Sequence, residues 1–219
     1  MKKDLTELVF ILDRSGSMQG LERDTIGGFN GMIEKQKKAE GTALVSTILF
    51  DDASKVIHNR LPIADVPQMT EEDYYVGGCT ALLDTIGEAV HHIEYVHSHT
   101  QEEYLPEKTV FVITTDGQEN ASTRHTFKEV REMIEYEENA HHWQFLFLGA
   151  NIDAIGTAAS FGIKADHAVN YTSDEQGTAL NYETICETIT QYRSSRVRPS
   201  EGIPAEWKKK IEDREQKKH

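Results

Sequence analysis

Short continuous apolar runs alternate along the chain with longer stretches in which apolar residues recur every three or four positions. The runs are residues 5–12, 42–50 (TALVSTILF), 108–115 (KTVFVITT) and 143–148 (WQFLFL). Runs of that length, rich in β-branched and aromatic residues, read as strands buried on both faces. Residues 55–61 read as one more strand, joined to 42–50 by the turn Asp51-Asp52-Ala53-Ser54. So short a connection makes a hairpin, which places 55–61 antiparallel at a sheet edge. Residues 165–169 form a weak sixth strand.

The periodic stretches read as amphipathic helices. They cover about 21–39, 80–97, 127–138 and 174–192, with a short helix ending near Phe161. Gly27-Gly28 inside the first of them lowers helix propensity and predicts a close approach of a neighbouring backbone. Helices alternating with strands, broken by one hairpin, predict an α/β fold. The expected architecture is a doubly wound, mostly parallel sheet of about six strands, with helices on both faces and one antiparallel edge strand. After Arg193 the pattern dissolves into serine, proline and charge. The expected organisation is therefore one domain over 1–194 and a charged tail over 195–219, either a surface helix or disordered chain.

Charge sharpens that division. The whole chain carries −14, from 23 basic and 37 acidic residues, yet the tail alone holds 8 basic and 5 acidic residues. An acidic body argues against nucleic acid as partner, because phosphate binding needs a basic footprint. It suits a protein that attracts cations. No apolar run approaches the roughly 20 residues of a membrane span, so no membrane partner is expected. The N-terminus shows no apolar segment followed by a small-residue cleavage site. Cys79 and Cys186 form no CxxC and read as two free thiols. Together these place the chain in the cytoplasm.

In a doubly wound sheet, ligands bind beyond the C-terminal ends of the strands, and three candidate stretches fall there. The first is Asp13-Arg14-Ser15-Gly16-Ser17, with oxygen side chains at alternate positions. The second is Gly77-Gly78-Cys79-Thr80, with a hydroxyl leading a helix. The third is Thr114-Thr115-Asp116-Gly117, with an acid at the end of a very apolar strand. Two carboxylates and three hydroxyls are hard oxygen donors, the set that selects Mg²⁺, Mn²⁺ or Ca²⁺ over zinc. Taken singly, Asp13, Ser15 and Ser17 would serve as a turn and helix caps.

With all three stretches present, the sequence resembles a von Willebrand factor type A (vWA) domain with an intact metal-ion-dependent adhesion site. The family pattern is Asp-x-Ser-x-Ser after the first strand, a Thr in the second loop and an Asp in the third. Asp13, Ser15, Ser17, Thr80 and Asp116 match it. The resemblance implies that Ser15 and Ser17 ligate the ion directly, and that Asp13, Thr80 and Asp116 do so directly or through water. It implies Mg²⁺ as the ion, with Mn²⁺ or Ca²⁺ as alternatives, and an open position that accepts an Asp or Glu side chain of a partner protein. The expected function is a metal-dependent protein-interaction module, not an enzyme. The compact form resembles stand-alone prokaryotic members of the family, whose partners include ATPases, kinases and phosphatases.

Two other classes compete with this reading. One is a metal-dependent phosphoryl-transfer or hydrolytic enzyme. A second acid two positions after Asp13 is missing, no GxxxxGK[ST] is present, and Arg14-Ser15-Gly16 lacks the first glycine of GxSxG. The other is a scaffold whose metal site is purely structural. Among the remaining polar residues, Asp51 and Asp52 read as turn residues, Cys79 as a small residue packed under a loop, and Gln118, Glu119 and Asn120 as solvent-facing. The histidines at 91, 92, 97, 99, 141 and 142, with Glu88 and Glu94 nearby, lack zinc-site spacing and read as an exposed polar face. Lys208-Lys209-Lys210 reads as a solvated end.

Overall fold

The computed structural model describes residues 1–194 and 196–218; the first and last residues of the expected tail, Ser195 and His219, lie outside the described residues. Six strands form one sheet: β1 (Lys2–Asp13), β2 (Thr42–Phe50), β3 (Ser54–Pro62), β4 (Pro106–Thr115), β5 (Gln144–Ala150) and β6 (Ala168–Tyr171). Their order is β3-β2-β1-β4-β5-β6. Only the β2–β3 pair is antiparallel. The helices are α1 (Glu22–Gln36), α2 (Leu82–Ser98), α3 (Phe127–His141), α4 (Ala154–Ser160), α5 (Glu175–Arg193) and α6 (Lys209–Gln216). Among them, none is long and apolar enough to cross a membrane. The expected class and edge strand are both present.

The continuous apolar runs arise because the sheet is covered on both sides. Leu8, Phe10 and Leu12 of β1 join a core with α1, α5 and α6. Val9 and Ile11, alternating with them, join a second core with α2, α3 and α4. Beginning at Ala168 rather than 165, β6 follows a single 3₁₀ turn over Ala165–His167. The switch in strand order at β1 and β4 opens a crevice at their C-terminal ends, where the candidate residues lie.

Two expectations change. Gly28 does meet a close neighbour, but it is a side chain: a β-carbon there would overlap the Tyr182 ring of α5, whereas one on Gly27 or Gly31 meets nothing within 4 Å. Gly28→Ala is therefore expected to lose about 1–3 kcal/mol through overpacking. Gly27→Ala and Gly31→Ala, gaining helix propensity in open space, are expected to add up to about 1 kcal/mol each. Chemical denaturation of the three variants measures the contrast.

The second change concerns the tail, which is helical over 205–216, one of its two expected forms, but is packed on the body through its apolar side. Ile203, Trp207 and Ile211 are buried and belong to the core that α1 and α5 share. The tail's charge pattern hid them because they are single apolar residues set among lysines and acids. Lys208, expected in solvent, sends its Nζ to the Ala165 and Ala168 carbonyls at 2.7 and 3.0 Å. Lys208 thus caps the first carbonyl of β6 and one of the turn before it, at the edge of the sheet.

Candidate metal centre

The three loops converge. The Gly16 N–H donates to the Gly78 carbonyl at 3.1 Å, and the Gly77 N–H donates to the Arg14 carbonyl at 2.9 Å. This backbone ladder holds the first two loops together. The side chains follow: Ser15 and Ser17 hydroxyls lie 3.0 Å apart, and Ser17 Oγ donates a short hydrogen bond to Asp116 Oδ1. A β-carbon built on Gly117 would lie 2.5 Å from Thr80 Oγ1, 3.3 Å from Ser17 Oγ and 3.4 Å from Ser15 Oγ. Three hydroxyl oxygens from two loops thus surround one point beside the third, and glycine is the residue that leaves them room.

Asp13 sits one step deeper. Its Oδ1 accepts the Ser15 N–H at 2.7 Å, and its Oδ2 accepts the Thr115 hydroxyl at 2.5 Å. Tyr74, fully covered, donates its hydroxyl to the Asp13 carbonyl at 2.5 Å. Burial pushes the Asp13 carboxyl up, partly offset by Thr115 and Ser15. Burial also pushes Asp116 up, with the neighbouring Asp13 charge adding to it. Asp116 Oδ2 is buried and has no hydrogen-bond partner among the described residues. Tyr171, at the end of β6, has its phenol pushed up by burial and then by these same two carboxylates.

The surrounding residues brace the loops in ways their sequence pattern did not announce. Asp51 and Asp52 do form the hairpin turn, with Asp51 Oδ1 accepting the Ala53 N–H. They also reach the site loops: Asp51 pairs with the buried Arg14 at 2.9 Å, and Asp52 accepts the Cys79 N–H at 2.8 Å. Arg14 in turn lies 4.3 Å from the Tyr75 ring centroid. Cys79 is exposed, not packed under a loop. Of the three residues expected in solvent, two turn back. Asn120 Oδ1 accepts the Thr80 N–H at 2.9 Å, and Glu119 accepts the Leu83 N–H together with two N–H groups and the Ser122 hydroxyl of its own loop.

Asp84 anchors the far side of that loop. It accepts the N–H groups of Thr123, Arg124 and His125 at 2.8–2.9 Å. Burial works to raise its carboxyl, but these donors outweigh it and hold the pKa at about 2. The depressed value means stability that is complete above the unfolded value near 3.9 and is lost as pH falls toward about 2, worth roughly 2 kcal/mol. Asp84→Asn is expected to cost that amount at pH 7, with the gap to the parent closing near pH 2. Denaturant unfolding at several pH values tests it.

Neither a family model nor a curated protein matches the sequence. Solved structures do match the fold. A von Willebrand factor type A protein from Catenulispora acidiphila is 14% identical with a TM-score of 0.58, over 86% of this chain and 43% of that one. Proximal thread matrix protein 1 from the mussel byssus, with a zinc-occupied adhesion-site motif, is 13% identical with a TM-score of 0.58, over 87% and 47%. The vWF domain of a type V pilus tip protein from Porphyromonas gingivalis is 9% identical with a TM-score of 0.60, over 86% and 96%. The architecture is that of vWA domains. The chain spans under half the length of the first two proteins.

Proposed function

We propose that the chain binds one divalent cation through Asp13, Ser15, Ser17, Thr80 and Asp116, and uses it to hold an acidic side chain of a partner protein. The observation that carries this is the buried, unpartnered Asp116 Oδ2 beside three converging hydroxyls. A lone carboxylate oxygen in that position is costly unless something positive meets it. The residues fit a hard cation: two carboxylates and three hydroxyls. No group of three His, Cys, Asp or Glu suited to a metal exists among the described residues, which leaves this mixed hydroxyl–carboxylate set as the candidate.

When bound, such an ion supplies an electrophilic position for an incoming carboxylate. Ser15, Ser17 and Thr80 would contribute neutral oxygens. Asp13 is oriented by Ser15 and Thr115, and Tyr74 fixes the backbone beneath it. Both Asp13 oxygens already accept hydrogen bonds, which suits a fixed ligand or orienting group and not a free nucleophile. That favours a binding module over a phosphoryl-transfer enzyme. The pattern of the donors supports Mg²⁺ first, with Mn²⁺ or Ca²⁺ as alternatives, and the acidic composition supports a protein partner over nucleic acid.

Titration calorimetry of Mg²⁺ and Mn²⁺ into the chelator-treated protein tests the ion, with near one ion per chain expected. Capture of an Asp- or Glu-bearing partner that is lost on adding chelator, while circular dichroism stays native, tests the bridge. Capture unchanged by chelator would leave the scaffold reading in its place.

A further inference from the structure

The end of the sheet opposite the ion site carries a cavity of about 640 Å³, within the range of small-molecule sites. Its walls come from the start of β4, the last turns of α2 and α3, and Trp143. Three carboxylates line it, Glu94, Glu107 and Glu137; Met1, which carries the α-ammonium, lines it too, and no lysine or arginine among the described residues does. Two helices end there, and helix C-termini favour positive charge. Three of the histidines expected on an exposed face, His97, His141 and His142, line it.

Its polar groups are held but not used up. Glu137 is 1% exposed; its Oε2 accepts from His141 Nδ1 at 2.7 Å, and its Oε1 takes no hydrogen bond among the described residues. Burial pushes this carboxyl up, with His141 opposing. The floor is Trp143, 3% exposed, with its ring stacked on Phe111 at 5.5 Å and met edge-on by His97 at 5.4 Å. A rigid aromatic floor, a nearly enclosed carboxylate with one free oxygen, and an acidic mouth define a ligand chemistry: an apolar body carrying a cation.

We propose that this cavity is a second binding site, for a small organic cation, an ammonium or amidinium on an aromatic or aliphatic body. Glu137 takes the charge, Trp143 takes the apolar body, and Glu94 and Glu107 attract the ligand to the mouth. The site stands independently of the ion centre.

The test uses the full chain at pH 8 with chelator present and phenethylamine as probe, followed by calorimetry and tryptophan fluorescence. Phenethyl alcohol and 3-phenylpropionate keep the body and change the charge. Saturable phenethylamine binding is expected, with the alcohol weaker by tenfold or more and the acid not binding. Glu137→Gln should weaken phenethylamine by tenfold or more, as for loss of a hydrogen bond to a charged group, and leave the alcohol unchanged. If that variant does not fold, Glu94→Gln and Glu107→Gln together should weaken the amine alone. Asp116→Asn should bind the amine as the parent does. Absence of saturable binding, equal binding of the three probes, or indifference to the glutamate substitutions would overturn the proposal.

Discussion

Asp116→Asn should be at least as stable as the parent in chelator and should lose the stabilisation that Mg²⁺ gives the parent. The two halves of this result have one cause. Without an ion, Asp116 is a buried carboxylate with a second carboxylate nearby and one oxygen unpartnered. Replacing it by a neutral isostere removes that repulsion and keeps an oxygen for Ser17. With an ion, the same charge becomes the attraction that holds it. At a free ion concentration of 100 Kd the parent gains about 2.7 kcal/mol, and a variant weakened a hundredfold gains only about 0.4 kcal/mol. For a domain of this size the parent's gain is a rise of roughly 5–10 °C in Tm. Thermal melts with chelator and with Mg²⁺ read both halves. Thr80→Ala, which removes a neutral oxygen, should weaken the ion less. Asn120→Ala should weaken it less again, because Asn120 acts only by holding the Thr80 backbone. Gln118→Ala should change nothing. A variant less stable in chelator yet still stabilised by Mg²⁺ would remove Asp116 from the ligand set.

The split between charge and stability shows what the sequence could and could not announce. Asp13, Ser15, Ser17 and Asp116 stand out because they end or follow an apolar run, and Thr80 because it follows two glycines and leads a helix; sheet topology brings such strand ends and loops together whatever the details. Which residues support them is another matter. Thr115 ends β4 inside the third candidate stretch and reads there as a β-former, yet its hydroxyl holds Asp13. Asp84 reads as an ordinary acid in a helix's first turn, yet it takes three backbone N–H groups from a loop some forty residues on. Asp51 and Asp52 look like turn residues and are, but parallel pairing of β2 with β1 sets their turn beside the first site loop. Support of this kind depends on contacts between segments distant in sequence, which periodicity does not encode. The tail's helix was legible, but its burial was not, for a different reason. Burial of Ile203, Trp207 and Ile211 requires only one side of a short, charged segment, and three apolar residues spaced by four make a weak signal.

That weak signal carries the second large effect. If the tail were a solvated appendage, Trp207→Ala would change stability by no more than about 0.5 kcal/mol. In the fold described here it should cost about 3–5 kcal/mol, the usual loss for emptying a buried tryptophan site. Trp207 lies 8% exposed, and its indole N–H donates to the Asp166 carbonyl at 2.8 Å. The neighbouring Ile203 N–H donates to Gln144 Oε1 at 3.0 Å. Arg214 pairs with Asp174, the N-cap of α5, at 2.5 Å. Removing the ring therefore loosens β6, α5 and the start of β5 together. Trp207→Phe keeps part of the apolar body but loses the hydrogen bond and leaves a smaller cavity, so it should cost less, about 1–3 kcal/mol; Lys209→Ala, on an exposed position, serves as the neutral control. Urea unfolding of the three variants ranks them. A Trp207→Ala midpoint equal to that of Lys209→Ala would mean that the tail leaves the body in solution.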